Sequence, residues 1–291
     1  GIAAKQSMQY DEANHSFNLF IESYDGKDAE DMKSAAQVEL EGIGLALLKT
    51  APASLSIKPV QGVNGIYNEM GLAVWEDELY FTSIATQSPL DVGEGQYSLY
   101  IQNEDENILV NGLITEPSRS IGSVAISDDG SIMVFSECLS EIRDNTSQCH
   151  LRLATRDDST WVTKPAFSEA VNHENFTSTH PTIRQEDNYY VIYFTSNKDL
   201  GKGGLDLYEC ILTDNGGVKG PNALHSVNTA MDDVSPFYDQ FAKRLYFSSN
   251  GYPSLGGFDI FYTSQDSLSQ WRTPKNIMRP LNSNADDIFF R

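Results

Sequence analysis

Carboxylates are the reactive groups this chain carries in greatest number: Asp and Glu total 41 against 20 Lys and Arg, a formal charge of −21 over 291 residues. Two carboxyl groups facing each other across a cleft can hydrolyse a glycosidic bond, and carboxylates alternating with backbone oxygens can hold calcium. Asp206 and Asp259 stand out because each closes a glycine-rich stretch of the same form. "IYFTSNKDLGKGGLDLYEC" (192–210) and "LYFSSNGYPSLGGFDIFYT" (245–263) place Gly203 and Gly204, and Gly256 and Gly257, just ahead of them. A glycine-rich loop binds phosphate when it opens a helix, whose first N–H groups point at the anion. Here a strand pattern follows the glycines, so a nucleotide cradle is excluded. A carboxylate at a strand start can accept hydrogen bonds from the preceding loop, which explains a recurring Asp without chemistry. Asp199 with Asp206 lacks the dense Asp and Asn spacing of a calcium loop. No metal and no cofactor is expected.

Other catalytic groups are thinly supplied. No G-x-S-x-G, H-E-x-x-H or Walker sequence occurs, and His15, His150, His173, His180 and His225 are scattered. Cys138, Cys149 and Cys210 have no C-x-x-C spacing for zinc. Cys138 and Cys149 flank a predicted hairpin, so a bridge between them and two free thiols both stay open. Asp232 and Asp233 recur as Asp286 and Asp287, and a group that repeats with the fold reads as structural. No catalytic residue is assigned and the chain is not expected to be an enzyme, although a glycosidase carboxylate pair in a channel stays open. The acidity would repel a phosphate backbone, which removes nucleic acid as a partner. No run of eighteen apolar residues is present, so no membrane-spanning helix is expected. Gly1 opens the sequence, which reads as a processed chain or a fragment.

The elements that must position these residues repeat. "LYFTS" (79–83), "MVFSE" (133–137), "IYFTS" (192–196) and "LYFSS" (245–249) are copies of one strand, with Phe81, Phe135, Phe194 and Phe247 spaced 54, 59 and 53 residues apart. A proline followed by an asparagine marks the same period: Pro59 and Asn64, Pro165 and Asn172, Pro221 and Asn228, Pro274 and Asn282. A unit of about 50 residues with three or four short strands is the size of a propeller blade. The chain is therefore expected to be mainly β, a five-bladed β-propeller over 53–291 with the last blade incomplete. Asp286 and Asp287 open that blade, its aromatic strand would fall near position 301, and "SLSIKPV" (54–60) would complete it from the other end.

Residues 1–52 carry a helical period instead: Ala13, Phe17, Phe20 and Tyr24 form one stripe, and Ala36, Leu40, Ile43 and Leu47 a second. Pro52 ends the second helix. "MQYDEANHSFNLF" resembles the middle of a tetratricopeptide repeat, with Tyr10, Ala13 and Phe17 at the motif's tyrosine, alanine and phenylalanine; Met8 and Phe20 depart from its small residues.

With "DELYFTS", "LYFSSNGYPSLGGFDIFYT" and "PLNSNADDIFF", nearly the whole chain resembles the WD40-like, TolB-related propellers of OmpA-family envelope proteins of Bacteroidota, including PorE-type components of the type IX secretion system. That resemblance implies a periplasmic, outer-membrane-associated scaffold whose partners are envelope proteins of a secretion or gliding complex. Peptidoglycan would be reached only through an OmpA-like domain that this sequence does not contain. Tyr10, Phe20, Trp75 and Tyr97 are the candidate interaction surface. The alternative is a propeller that binds a glycan or peptide at one mouth of its channel, with Trp161 and Trp271 as further aromatics to inspect, and after it a propeller hydrolase.

Overall fold

The computed structural model describes residues 1–48, 55, 57–63, 69–84, 96–102, 107–113, 119–139, 148–158, 160–165, 167–213 and 216–291. Three helices come first: α1 (Ile2–Gln6), α2 (Tyr10–Ser23) and α3 (Ala29–Ala46). Both long helices begin with acidic residues, Asp11 and Glu12 or Glu30 and Asp31, which suit the positive end of the helix dipole. Their apolar stripes meet: Ala13, Phe17, Ala36 and Ile43 form one small core.

Among the described residues, sixteen strands then form four antiparallel sheets of four, each running in chain order from the inside outward. Blade 1 is β1 (Met70–Trp75), β2 (Glu78–Ile84), β3 (Tyr97–Gln102) and β4 (Asn107–Leu109). Blade 2 is β5 (Arg119–Ile126), β6 (Ile132–Leu139), β7 (Cys149–Asp157) and β8 (Thr160–Thr163). Blade 3 is β9 (Ser178–Glu186), β10 (Tyr189–Ser196), β11 (Asp206–Thr213) and β12 (Val218–Ala223). Blade 4 is β13 (Asp233–Asp239), β14 (Arg244–Ser249), β15 (Asp259–Thr263) and β16 (Lys275–Asn276). The described residues thus form a four-bladed β-propeller.

Because blades stack face to face, second strands must be apolar on both faces, and this is why they read as continuous aromatic runs. Phe194 packs with Val134, Leu151 and Ile192 between blades 2 and 3, whereas its neighbour Tyr193 packs with Leu207 and Phe247 between blades 3 and 4. The repeated phenylalanines are all interior. Phe81, Phe194 and Phe247 each stack on the residue opposite in the third strand, Tyr100, Tyr208 and Phe261. In blade 2 the residue opposite Phe135 is Arg152.

The proline-to-asparagine phrase has a physical role. Asn172, Asn228 and Asn282 lie on the links between blades, and each grips one residue of the third strand behind it. Oδ1 accepts the backbone N–H, and Nδ2 donates to the carbonyl, of Leu151, Leu207 and Ile260 respectively, at 2.8–3.0 Å. Asn64 lies outside the described residues.

Two expectations need correction. A fifth sheet is not formed among the described residues, and of 54–60, residue 55 and residues 57–60 carry no strand while 54 and 56 lie outside the described set. A strand needs a hydrogen-bonded neighbour, and the repeat arithmetic could not test for one. Residues 287–291 nevertheless enter the place beside blade 4 as β13 does beside blade 3. Asp287 N donates to Phe258 O as Asp233 N does to Leu205 O, both at 2.7 Å. Phe290 packs on Tyr246 and Phe237, and Arg291 donates to Leu72 O of blade 1 and Pro236 O of blade 4.

The tetratricopeptide reading is also unsupported: the helices form one hairpin that docks on blade 4, with no stacked repeat among the described residues. Buried Lys5 donates to Glu39 at 2.6 Å and to Ser254 Oγ at 3.1 Å, Asn284 donates to Gln6 O, and Arg279 to Tyr10 Oη. Gly42 of α3 lies against the Ser254 backbone, where a β-carbon would collide. Among the described residues no helix is long and apolar enough to cross a membrane.

Candidate functional site

The inner strands line a central channel, and all four share one irregularity. Ladder register slips between Met70 and Ala73 in β1, Ile121 and Val124 in β5, Thr179 and Thr182 in β9, and Val234 and Phe237 in β13. Such a bulge kinks the strand and re-aims the bulged residue. The equivalent positions are Gly71, Gly122, His180 and Ser235. Gly71, His180 and Ser235 adopt left-handed backbone, with φ of 64°, 50° and 52°.

On one side of this layer a cavity of about 930 Å³ opens at the channel mouth. Its wall combines strand starts (Met70, Gly122, Ser123, Thr179, His180) with the ends of the β6–β7 hairpin (Cys138, Leu139, Gln148, Cys149) and the links between blades (Glu174–Thr177, Asp232). A smaller cavity, about 340 Å³, lies beyond the layer, among Val74, Val124, Ile183, Phe237 and Arg291. The Cys138–Cys149 bridge is formed, tying β6 to β7 at the mouth.

Amide side chains hold the rim. Gln148 Nε2 donates to the carbonyls of His173 and Glu174, and Asn197 Oδ1 accepts from Thr177 N at 2.8 Å. The Phe176 ring stacks on His173 at 5.5 Å and carries the Lys198 ammonium at 4.3 Å. Glu174 and Asp232 are the carboxylates among the lining residues; one Asp232 oxygen accepts Leu205 N at 2.8 Å. The rim offers amides and carboxylates, with the Phe176 ring engaged by His173 and Lys198, a set that grips hydroxyl-rich groups.

Of the glycine-loop residues, Gly204 lines the cavity wall beside Leu205, and the others are placed elsewhere. Asp206 accepts the N–H groups of Lys202 and Gly203 at 2.8 and 2.9 Å, and Asp259 those of Leu255 and Gly256 at 2.8 and 3.1 Å. Gly203 and Gly256 let the following link pass: a β-carbon would sit 2.0 Å from Met231 O or 1.9 Å from Ala285 O. Gly204 and Gly257 lie similarly close to Asp232 and Asp286. Of the candidate surface residues, Trp75 packs on Gly130 beneath the Arg156 guanidinium, and Trp161 is buried between blades 1 and 2. Trp271 meets Tyr193 edge-on. Tyr10 and Phe20 pack against the hairpin core, and Tyr97 N donates to Ser120 of blade 2. None of these six lines the cavity.

One group escaped the sequence reading, and a second was read there only as a structural repeat position. Glu137 is buried in blade 2 with the Arg119 and Arg152 guanidinium groups each 3.8 Å away, and His150 is opposite it in the ladder. Blades 3 and 4 have Ser196 opposite Asp206 and Ser249 opposite Asp259 at this place. The signal was a break in the repeat. The second group is Asp233, whose Oδ2 accepts from Thr229 N and Oγ1 at 2.6 and 3.0 Å. Burial pushes its carboxyl up to about 6, and the charge on Asp206 adds to the shift. A carboxyl raised in the folded state binds its proton more tightly there, so it favours folding below the unfolded value near 4 and loses that advantage as pH rises to about 6. Asp233→Asn, which carries no charge, is expected to gain about 2 kcal/mol on the parent between pH 4 and 7. Paired urea titrations across that range read the difference; a constant offset would rule the ionisation out.

No protein-family model and no curated protein matches the chain. Solved structures of similar shape include a GH32 β-fructofuranosidase of Bombyx mori in complex with sucrose (11% identity, 73% of this chain and 49% of that one, TM-score 0.41). An α-L-arabinanase of Penicillium chrysogenum with arabinobiose (13%, 75% and 68%, 0.46) and a putative TolB of Agrobacterium tumefaciens (14%, 71% and 65%, 0.39) are others. The chain spans about half the length of the Bombyx protein.

The expectation of a non-enzyme is corrected here. It rested on missing motifs, and glycoside hydrolases recur among the propellers of similar shape. Glycoside hydrolysis needs two carboxyl groups at a set separation, which different blades can supply with no contiguous signature.

Proposed function

We propose that the chain is a carbohydrate-recognising propeller that takes a neutral oligosaccharide at the mouth of its channel. The observation carrying this reading is the 930 Å³ cavity rimmed by Gln148, Asn175, Asn197, Phe176 and two carboxylates. Its size lies in the range of small-molecule sites. No Lys or Arg lines it among the described residues, which disfavours acidic sugars. Glycosidic hydrolysis at the same mouth is the second reading, favoured by Glu174 and Asp232 sharing one cavity.

Residues 287–291 repeat the entry of β13 beside blade 4 without a partner strand among the described residues. Placement in the periplasm, with envelope proteins of a Bacteroidota secretion complex as partners, rests on the motif resemblance. The Cys138–Cys149 bridge fits an oxidising compartment.

A glycan array bearing neutral, acidic and amino sugars tests the reading. Neutral oligosaccharides are expected to be retained, and Asn175→Ala and Gln148→Ala to weaken them about tenfold each, the worth of one hydrogen bond. Release of reducing ends that is lost in both Glu174→Gln and Asp232→Asn would establish hydrolysis. Retention of peptides alone, or of nothing, would overturn carbohydrate recognition.

A further inference from the structure

The bulge layer beneath the mouth holds left-handed backbone in three of its four blades, at Gly71, His180 and Ser235. Left-handed backbone is free for glycine and strained for residues with a β-carbon. In blade 1 the residue is Gly71, at φ 64°. There a β-carbon would also crowd Gly122 O, 2.9 Å away. Blades 3 and 4 carry His180 and Ser235 in the same conformation, so two neighbouring inner strands keep strain that glycine would relieve. The two side chains meet across the gap between blades: His180 Nδ1 lies 3.5 Å from Ser235 Oγ. The imidazole lines the mouth cavity and stands edge-on to Phe289 at 5.0 Å. Such retained strain concentrates at ligand sites.

We infer that His180, positioned by Ser235, is the specificity-determining contact at the cavity floor, hydrogen-bonding an uncharged hydroxyl of the bound sugar. The inference rests on the carbohydrate reading above. With Nδ1 taken up by Ser235, the ring has one further nitrogen, Nε2, to offer the ligand. The imidazole sits deep in the channel, and burial together with the nearby Arg291 cation holds it down to about 3, so it is neutral at any physiological pH. A neutral ring suits a hydroxyl and gives an anionic group no counter-charge. Ser235 is buried and absent from the cavity wall; it orients the ring and makes no ligand contact itself.

Glycine substitution separates the two roles a strained residue can have. Ser235→Gly is expected to raise the melting temperature by about 2–3 °C, as relief of left-handed strain would, while weakening neutral-sugar binding several-fold. His180→Gly is expected to weaken it tenfold or more. His180→Asn, which tolerates left-handed backbone and keeps an N–H donor, is expected to recover part of the loss. The probe is the neutral oligosaccharide that the parent protein retains best on the array, titrated against each variant by calorimetry. If the parent binds sugar and His180→Gly binds it equally well, the role of His180 is overturned while carbohydrate recognition stands. If Ser235→Gly melts several degrees lower than the parent, the pair is a packing element and the inference fails. A parent protein that retains no sugar overturns both readings.

Discussion

Asn228→Ala is expected to lower global stability by about 3 kcal/mol, with the loss read as a shift of the urea midpoint at constant slope. The side chain is 3% exposed, and its amide satisfies both polar groups of Leu207 on β11, at 2.9 and 3.0 Å. Alanine would leave the buried Leu207 N–H without a partner, at about 1–3 kcal/mol, and would remove one of the two donors to Leu207 O, which keeps Leu224 N at 2.9 Å. Asn228→Asp is expected to do little better, because it keeps the acceptor for Leu207 N but sets an oxygen against Leu207 O. Asn282→Ala should match it through Ile260, and Asn172→Ala through Leu151. Exposed Asn18, bonded only within α2, is the control and should change stability by less than about 0.5 kcal/mol. A loss at Asn228 no larger than that at Asn18 would show that water satisfies the Leu207 groups.

These asparagines show what was legible in the sequence. Their spacing announced a repeat, and the repeat announced blades, because a sheet buried on both faces must be rebuilt at a fixed interval. Their bonding was not legible: each partner is a main-chain group 21 or 22 residues away, and a backbone group has no signature in the sequence. The blade number failed for a related reason. Asp286 and Asp287 carry the repeat signal faithfully, and Asp287 makes the bonds of Asp233, yet among the described residues no second strand pairs with 287–291. The mouth was the least visible part. Three of the four equivalent residues in the bulge layer share a left-handed backbone while differing in side chain, Gly71, His180 and Ser235, and His180 and Ser235 are 55 positions apart. A histidine that looked scattered along the chain is central in space.

Gly256→Ala is expected to cost about 3 kcal/mol or more, beyond the usual penalty for overpacking. The added carbon would lie 1.9 Å from Ala285 O and 2.9 Å from the Asn284 carbonyl carbon, both main-chain atoms that no rotamer change can move. Relief requires the 284–287 link to retreat, and that link carries Asp286, which accepts Phe258 N at 3.0 Å, and Asp287, whose N–H is bonded to Phe258 O. The strain therefore breaks bonds as well as contacts. Gly203→Ala should behave alike against Met231 O, at 2.0 Å. Gly44→Ala provides the contrast: no atom lies within 4 Å of its β-carbon position in α3, and helix propensity alone should raise stability by up to about 1 kcal/mol. Thermal melting of the three variants distinguishes two uses of a glycine-rich loop. A loop kept open for a ligand would accept Gly256→Ala with an unchanged melting temperature and lose only binding. A loop kept narrow for the chain's own next repeat must lose stability first, and Asp259 bonded to Leu255 and Gly256 supports that second use.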